Sequence, residues 1–292
     1  MIYDIKQKAH YDYASSVPFA KHALRLLPLI RPGQSTTAVS IKIDPPPSER
    51  FQTSDFFGNG VLMVDLDAPH DSFTVTVSAR VRVEPPMPLM AELTPPWEEV
   101  RDRALASADL SSASPVHFLF PSRSITLDEE LGRYAAESFP AKRSVLEGAF
   151  ELAKRIHDDF VYEPGATEVS TPALQAFRLK RGVCQDFAHV MISGLRWLGL
   201  PAGYVSGYLR TVPPPGRPRL QGVDAMHAWV MLWAGEEIGW CGLDPTNASM
   251  ALDDHIVVAT GRDYTDVAPI EGILYGPGNQ KLKTEVDVVP VG

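Results

Sequence analysis

Arg181-Gly-Val-Cys-Gln-Asp-Phe-Ala-His-Val-Met-Ile-Ser-Gly-Leu-Arg-Trp-Leu-Gly-Leu-Pro201 is the stretch that decides the fold. It opens on glycine, enters an apolar-rich run at Cys184, and ends at Gly199 and Pro201, residue types that stop helices. The spacing predicts a helix beginning at or next to Cys184. Cys184, Ala188, Met191, Leu195 and Leu198 form one stripe, and Phe187, Val190, Gly194 and Trp197 add apolar side chains beside it, the pattern of a buried helix. Two readings of Cys184 follow. Unpaired N–H groups and the positive end of the helix dipole favour a thiolate, and hence a nucleophile. Free cysteine is also among the most buried and inert residue types. The helix alone favours the inert thiol, so a catalytic reading needs a base.

Downstream, Ala225-Met-His-Ala-Trp-Val-Met-Leu-Trp233 and Ile238-Gly-Trp-Cys-Gly-Leu243 flank Ala234-Gly-Glu-Glu237, a hairpin pattern with glycine first in the turn. A turn centred between Gly235 and Glu236 sets His227 directly opposite Asp244. Their Cβ atoms would then lie about 4.5–5.5 Å apart on one face, close enough for a carboxylate to hold an imidazole. Cys241, three residues before Asp244, points to the other face and reads as a packing thiol. Singly, His227 reads as a core histidine and Asp244 as a turn former ahead of Pro245. Taken together, Cys184, His227 and Asp244 supply a nucleophile, a base and an orienting carboxylate.

Upstream, residues 1–90 read as an antiparallel β-sandwich-like domain. Phe73, Val75, Val77, Ala79, Val81 and Val83 alternate with polar residues, and Val39, Ile41 and Ile43 repeat the pattern. Turn signals at Arg31-Pro-Gly33, Pro45-Pro-Pro47 and Gly58-Asn-Gly60 separate the strands. His10, His22 and His70 read as surface or core histidines. Glu84-Pro-Pro-Met-Pro88 closes this domain, and residues 91–139 form a helical connector in which Thr126 is placed to cap a helix through Leu131. Residues 140–292 then combine helices with an antiparallel sheet, an α+β unit in which the stripe Val145, Ala149, Leu152, Ile156 and Phe160 marks the first helix.

The 292 residues suffice for two cores. A formal net charge of -9, with no long basic run, argues against nucleic-acid or anionic-membrane partners. The N-terminus has no positively charged start followed by an apolar core, and no run approaches a membrane span, so the cytoplasm is the expected location. Two cysteines make no disulfide framework.

Gly182-Val-Cys184, Asp224-Ala-Met-His-Ala-Trp229 and Gly242-Leu-Asp-Pro-Thr-Asn247 resemble, in order, the cysteine, histidine and aspartate motifs of the transglutaminase-like (papain-like thiol) superfamily. Tyr3-Asp-Ile5, Asp55-Phe-Phe-Gly-Asn59, Thr167-Glu-Val-Ser-Thr-Pro172 and Asp263-Tyr-Thr-Asp266 extend the resemblance to bacterial transglutaminase-like proteins with an N-terminal β-domain. It implies a papain-like core, with the cysteine helix on an antiparallel sheet, and acyl chemistry on a peptide or glutamine-type amide through a thioester. Water would make the enzyme a cysteine protease or amidase; an amine acceptor would make it a transglutaminase. The backbone N–H of Cys184 is one expected oxyanion donor and Tyr162 a candidate second, with Asp186 and His189, three apart on the helix, as supporting residues. No cofactor is implied, and no calcium site of the animal transglutaminase kind is marked. A metal site from Cys184, His189, His227 and Cys241 lacks paired-ligand spacing. The alternative from another class is a catalytically silent peptide-binding scaffold. Substrate identity and oligomeric state are not encoded in any motif.

Overall fold

The computed structural model describes residues 1–84, 90–211, 225–276 and 279–291. The N-terminal segment holds six strands: β1 (Ile2–Val17), β2 (Phe19–Leu24), β3 (Gln34–Asp44), β4 (Glu49–Ser54), β5 (Gly60–Leu66) and β6 (His70–Val83). The strict alternation read in the sequence of β6 buries Phe73, Val75, Val77, Ala79, Val81 and Val83 on one face. That face is longer than one sheet can cover, and it is shared. Its first half packs with Val17, Leu24, Leu62, Val64 and Leu66 into the core of the sandwich. Its second half packs with Tyr3 and Ile5 against Tyr208, Ile256 and Val258 of the second segment.

Three helices follow, α1 (Trp97–Leu105), α2 (Glu129–Ala136) and α3 (Val145–Asp159). The cap of α2 is Asp128, whose carboxylate accepts the N–H of Glu130 at 2.8 Å, rather than Thr126. The boundary expected at Pro85–Pro88 lies outside the described residues, as does the proline-rich stretch from Val212 to Val223, whose sequence reads as a loop.

The chain then runs through β7 (Val161–Tyr162), α4 (Ala173–Leu179) and β8 (Arg181–Gly182) into α5 (Cys184–Trp197), which begins at the cysteine. Beyond it come β9 (Ala202–Leu209), β10 (Ala225–Trp233), β11 (Trp240–Asp244), β12 (Ser249–Met250), β13 (His255–Gly261) and the short α6 (Tyr264–Val267). These strands form an antiparallel sheet in the order β12-β11-β10-β9-β13. Phe187, Val190, Met191 and Leu195 of α5 bury against its Tyr204, Ala228, Val230 and Leu232.

Two expectations are corrected. The hairpin register is displaced by two residues, with Leu232 facing Cys241 rather than Gly239, because the connection spans Ala234 to Gly239 around a turn centred one residue later. Face selection has period two, so His227 and Asp244 stay on one face and Cys241 stays on the other, in the core beneath α5. The second correction concerns the end of the chain, expected to belong to a unit running from 140 to 292. β14 (Ile270–Tyr275) pairs with β2, and β15 (Gln280–Pro290) pairs with β1, giving sheet orders β14-β2-β5-β4 and β15-β1-β6-β3. The last strands thus complete the N-terminal sandwich. Both are edge strands with mostly exposed side chains, so they carry little of the apolar alternation that identifies a strand's partner.

Helix α5 lies close to α2 because Gly194 lacks a side chain: a Cβ there would meet the Ala135 Cβ at 2.7 Å and the Leu131 carbonyl at 3.2 Å. Gly194→Ala should therefore destabilise the fold by about 1–3 kcal/mol of overpacking, which outweighs the gain of about 1 kcal/mol in helix propensity. A lower urea midpoint at unchanged m-value is the expected result.

Candidate active site

Cys184 stands at the first position of α5, where helix geometry leaves N–H groups without intrahelical acceptors. The carboxylate of Asp186 reaches back to the Val183 N–H at 2.8 Å and accepts the Thr167 hydroxyl at 2.7 Å, so it fixes the chain as it enters the helix. Gly182 makes room for it, since a Cβ there would lie 2.5 Å from that carboxylate. Burial raises the Asp186 pKa despite these donors.

The partner expected for Asp186, His189, is instead tied to α6. Its Nε2 accepts the Tyr264 N–H at 3.2 Å, and burial lowers its pKa to about 4, which keeps the ring a neutral acceptor. Asp186 and His189 are thus two separate anchors of the cysteine helix.

His227, 8% exposed, presents Nε2 to Asp244 Oδ2 at 2.7 Å. Nδ1 is the nitrogen left to face Cys184, which lines the same cleft. Burial works to lower the His227 pKa, but the hydrogen bond to Asp244, with the influence of Cys184 beside it, outweighs burial and holds the pKa up at about 9.

Asp244 has no exposed surface, and its charge survives on hydrogen bonds. Oδ2 accepts from His227, from Asn247 Nδ2 at 2.7 Å and from His255 Nε2 at 3.1 Å. Oδ1 accepts the N–H groups of Thr246 at 2.9 Å and Asn247 at 3.1 Å. Burial pushes the carboxyl pKa up, and these donors together hold it well below the usual carboxylate range.

His255 and Asn247 hold the carboxylate without having been singled out individually in the sequence; their signal was only their place on β13 and just after Asp244. Donor atoms of His227, Asp244 and His255 lie within 4.8 Å of one another, a spacing open to a cation. Both imidazoles turn Nε2 toward the same carboxylate oxygen, Asp244 Oδ2.

Of the residues expected at the site, Cys184, His227 and Asp244 come together. Tyr162 is 52% exposed, sits edge-on to Phe187 and does not line the cleft, but burial, with the Cys184 charge next in importance, raises its phenol pKa as well. Tyr204 does line the cleft and is almost wholly buried. Burial, with the Cys184 charge next in importance, raises its phenol pKa well above the ordinary value, so it remains a neutral O–H donor. Tyr264, Pro269 and Ile270 also line the cleft, so the segment after Asp263 lies beside the site.

His227 gains its proton affinity on folding, so the stabilisation it gives is fully present below its unfolded pKa of 6.5 and is lost as pH rises through about 9. The full span corresponds to on the order of 3 kcal/mol. Urea unfolding should show wild-type stability falling across this window, and His227→Gln should flatten the profile.

Residues 3–82 match the model of the bacterial transglutaminase-like N-terminal region, and residues 133–245 match that of the transglutaminase-like superfamily. An uncharacterized protein of Mycobacterium tuberculosis is 38% identical over 295 residues, covering 99% of this chain and 92% of its own. A protein-glutamine gamma-glutamyltransferase of Pseudomonas aeruginosa is 36% identical over 95 residues, which cover 30% of this chain and 14% of that protein. The crystal structure of a candidate cysteine protease from Cytophaga hutchinsonii has the same fold, with a TM-score of 0.77 at 22% identity over 100% of this chain and 92% of that one. No helix among the described residues is long and apolar enough to cross a membrane. By its two matched regions and its full-length relatives, the chain belongs to the bacterial transglutaminase-like family, whose superfamily chemistry is cysteine-based.

Proposed function

We propose that this protein carries out cysteine-dependent acyl chemistry on a peptide or glutamine-type amide, with Cys184 as nucleophile, His227 as acid and base, and Asp244 as the orienting carboxylate. The observation that carries the reading is the 2.7 Å contact between His227 Nε2 and Asp244 Oδ2, which leaves Nδ1 for a thiol at a helix N-terminus. The local likeness to a protein-glutamine gamma-glutamyltransferase supports a carboxamide donor.

In the first half-reaction the Cys184 thiolate adds to the amide carbonyl carbon, and the carbonyl π-electrons move to oxygen. The oxyanion is met by the Cys184 N–H and, in this reading, by the hydroxyl of Tyr204 rather than that of Tyr162. Collapse breaks the C–N bond as Nδ1–H of His227 protonates the departing amine, leaving a thioester. In the second half-reaction water or an amine adds to the thioester while Nδ1 accepts its proton. Collapse releases acid or new amide and restores the thiolate beside the imidazolium. Asp244 holds the ring in place for both transfers.

Iodoacetamide labelling tests the nucleophile directly. Cys241 is buried, and burial raises its pKa to about 11, so labelling reports on Cys184. At neutral pH, His227→Ala should slow labelling about tenfold or more. Equal rates in both proteins would leave the peptide-binding scaffold as the better account. With a glutamine-containing peptide, thioester formation should release ammonia, and an added primary amine should appear in the product if the enzyme is a transferase. Tyr204→Phe should lower kcat by about 10²–10³ with little change in KM, and Tyr162→Phe should leave both near wild type.

A further inference from the structure

The cleft that holds Cys184 and His227, about 430 Å³, has walls from both halves of the chain. One wall is the cysteine helix start with Ser206, Met226 and Ile270. The other is formed by Gln7, Ala9 and Tyr11 of β1 and by Leu282, Thr284 and Val286 of β15. These six residues are directly opposed pairs in the sheet: Gln7 faces Val286, Ala9 faces Thr284, and Tyr11 faces Leu282. They make a patch two strands wide, in which Gln7, Ala9 and Val286 are buried as a floor and Tyr11, Leu282 and Thr284 stay accessible over about 7 Å, from i to i+2 on β15.

Charge is absent from that patch although both strands are rich in it. β1 carries Lys6 and Lys8, and β15 carries Lys281, Lys283 and Glu285. Every one of them falls on the alternate positions of its strand, and so on the opposite face of the sheet. The rest of the cleft follows suit: among its described lining residues there is no aspartate, glutamate, lysine or arginine. Apart from Cys184 and His227 its polar groups are uncharged, as with Gln7, which is held by the Tyr208 hydroxyl at 2.5 Å.

We propose that β1 and β15 form a specificity-determining wall, and that the acyl donor is an extended peptide segment with uncharged, chiefly apolar residues beside the reacting amide. The proposal rests on the reading of Cys184 as nucleophile and adds the class of substrate presented to it. The accessible part of the wall, about 7 Å long, meets about two residues of an extended segment. A charged side chain brought against the wall, away from Cys184 and His227, would lose hydration and meet no wall residue of opposite sign. Tyr11, Leu282, Met226 and Ile270, half-buried or exposed, would gain from covering by an apolar one.

Chloroacetamide-capped tetrapeptides that are apolar, lysine-bearing or aspartate-bearing test this by their rates of Cys184 alkylation. Each rate is divided by the iodoacetamide rate of the same protein, so differences in intrinsic thiol reactivity cancel. The apolar probe should react about tenfold faster than either charged one. Leu282 is 55% exposed at the rim, so Leu282→Glu should fold and shift the ratio several-fold toward the lysine probe; the exposed Thr284→Lys should shift it toward the aspartate probe. Equal relative rates for the three probes in wild type would overturn the proposal, as would ratios that neither variant changes. Iodoacetamide labelling that depends on His227, combined with indiscriminate probes, would refute the wall and spare the nucleophile. Labelling that ignores His227 would refute the nucleophile itself.

Discussion

A carboxylate with no exposed surface, Asp244, is the constraint on which the site depends. An unpaired buried charge is far more costly than any single contact can offset, so the group persists only because five hydrogen bonds converge on it. The donors come from β10, from β13 and from the turn after β11, and each must be in place for the others to be useful. That interdependence fixes the imidazole of His227 between the carboxylate and the thiol. It also explains how a histidine only 8% exposed can keep its pKa at about 9 in surroundings that otherwise favour the neutral ring. The cysteine helix is pinned separately, by Asp186 at its entrance and by His189 against α6, so the thiol and the base are positioned by different parts of the fold.

What the sequence made legible was whatever period and order encode. The stripe on α5 placed Cys184 at a helix start, and alternation along β10 and β11 placed His227 and Asp244 on one face with Cys241 on the other. The turn was misplaced by one residue, and the resulting two-residue slip in register left every face unchanged. Contacts set by tertiary packing were not legible. His255 reaches Asp244 only because β13 lies beside β9 across the sheet from β11, an order that local pattern does not carry. Tyr204, one apolar-run residue among several in β9, became distinguishable from Tyr162 only once the cleft was defined. The strands after α6 are mostly exposed, and their return to the sandwich follows from edge pairing with β1 and β2.

The two halves of the chain are joined at the backbone of β13 as well as through apolar contacts. β13 is the outermost strand of its sheet, and an open edge invites pairing with other chains. Here two carboxamides from the N-terminal segment occupy part of that edge. Gln34 accepts the Val257 N–H and donates to the Val257 carbonyl, both at 2.8 Å. Asn59 does the same at Thr260, again at 2.8 Å in both directions, with its amide also held by Asp55 at 2.9 Å. Each carboxamide thus replaces the donor and acceptor of a missing strand residue. The strand they hold begins with His255, one of the donors that keep Asp244 charged. Hydrogen bonds from Asn59 and from Gln34 therefore hold β13, the strand that presents His255 to the carboxylate of Asp244. The N-terminal sandwich supports the candidate site from behind with these clamps while β1 and β15 wall it in front, so the sheet domain belongs structurally to the site.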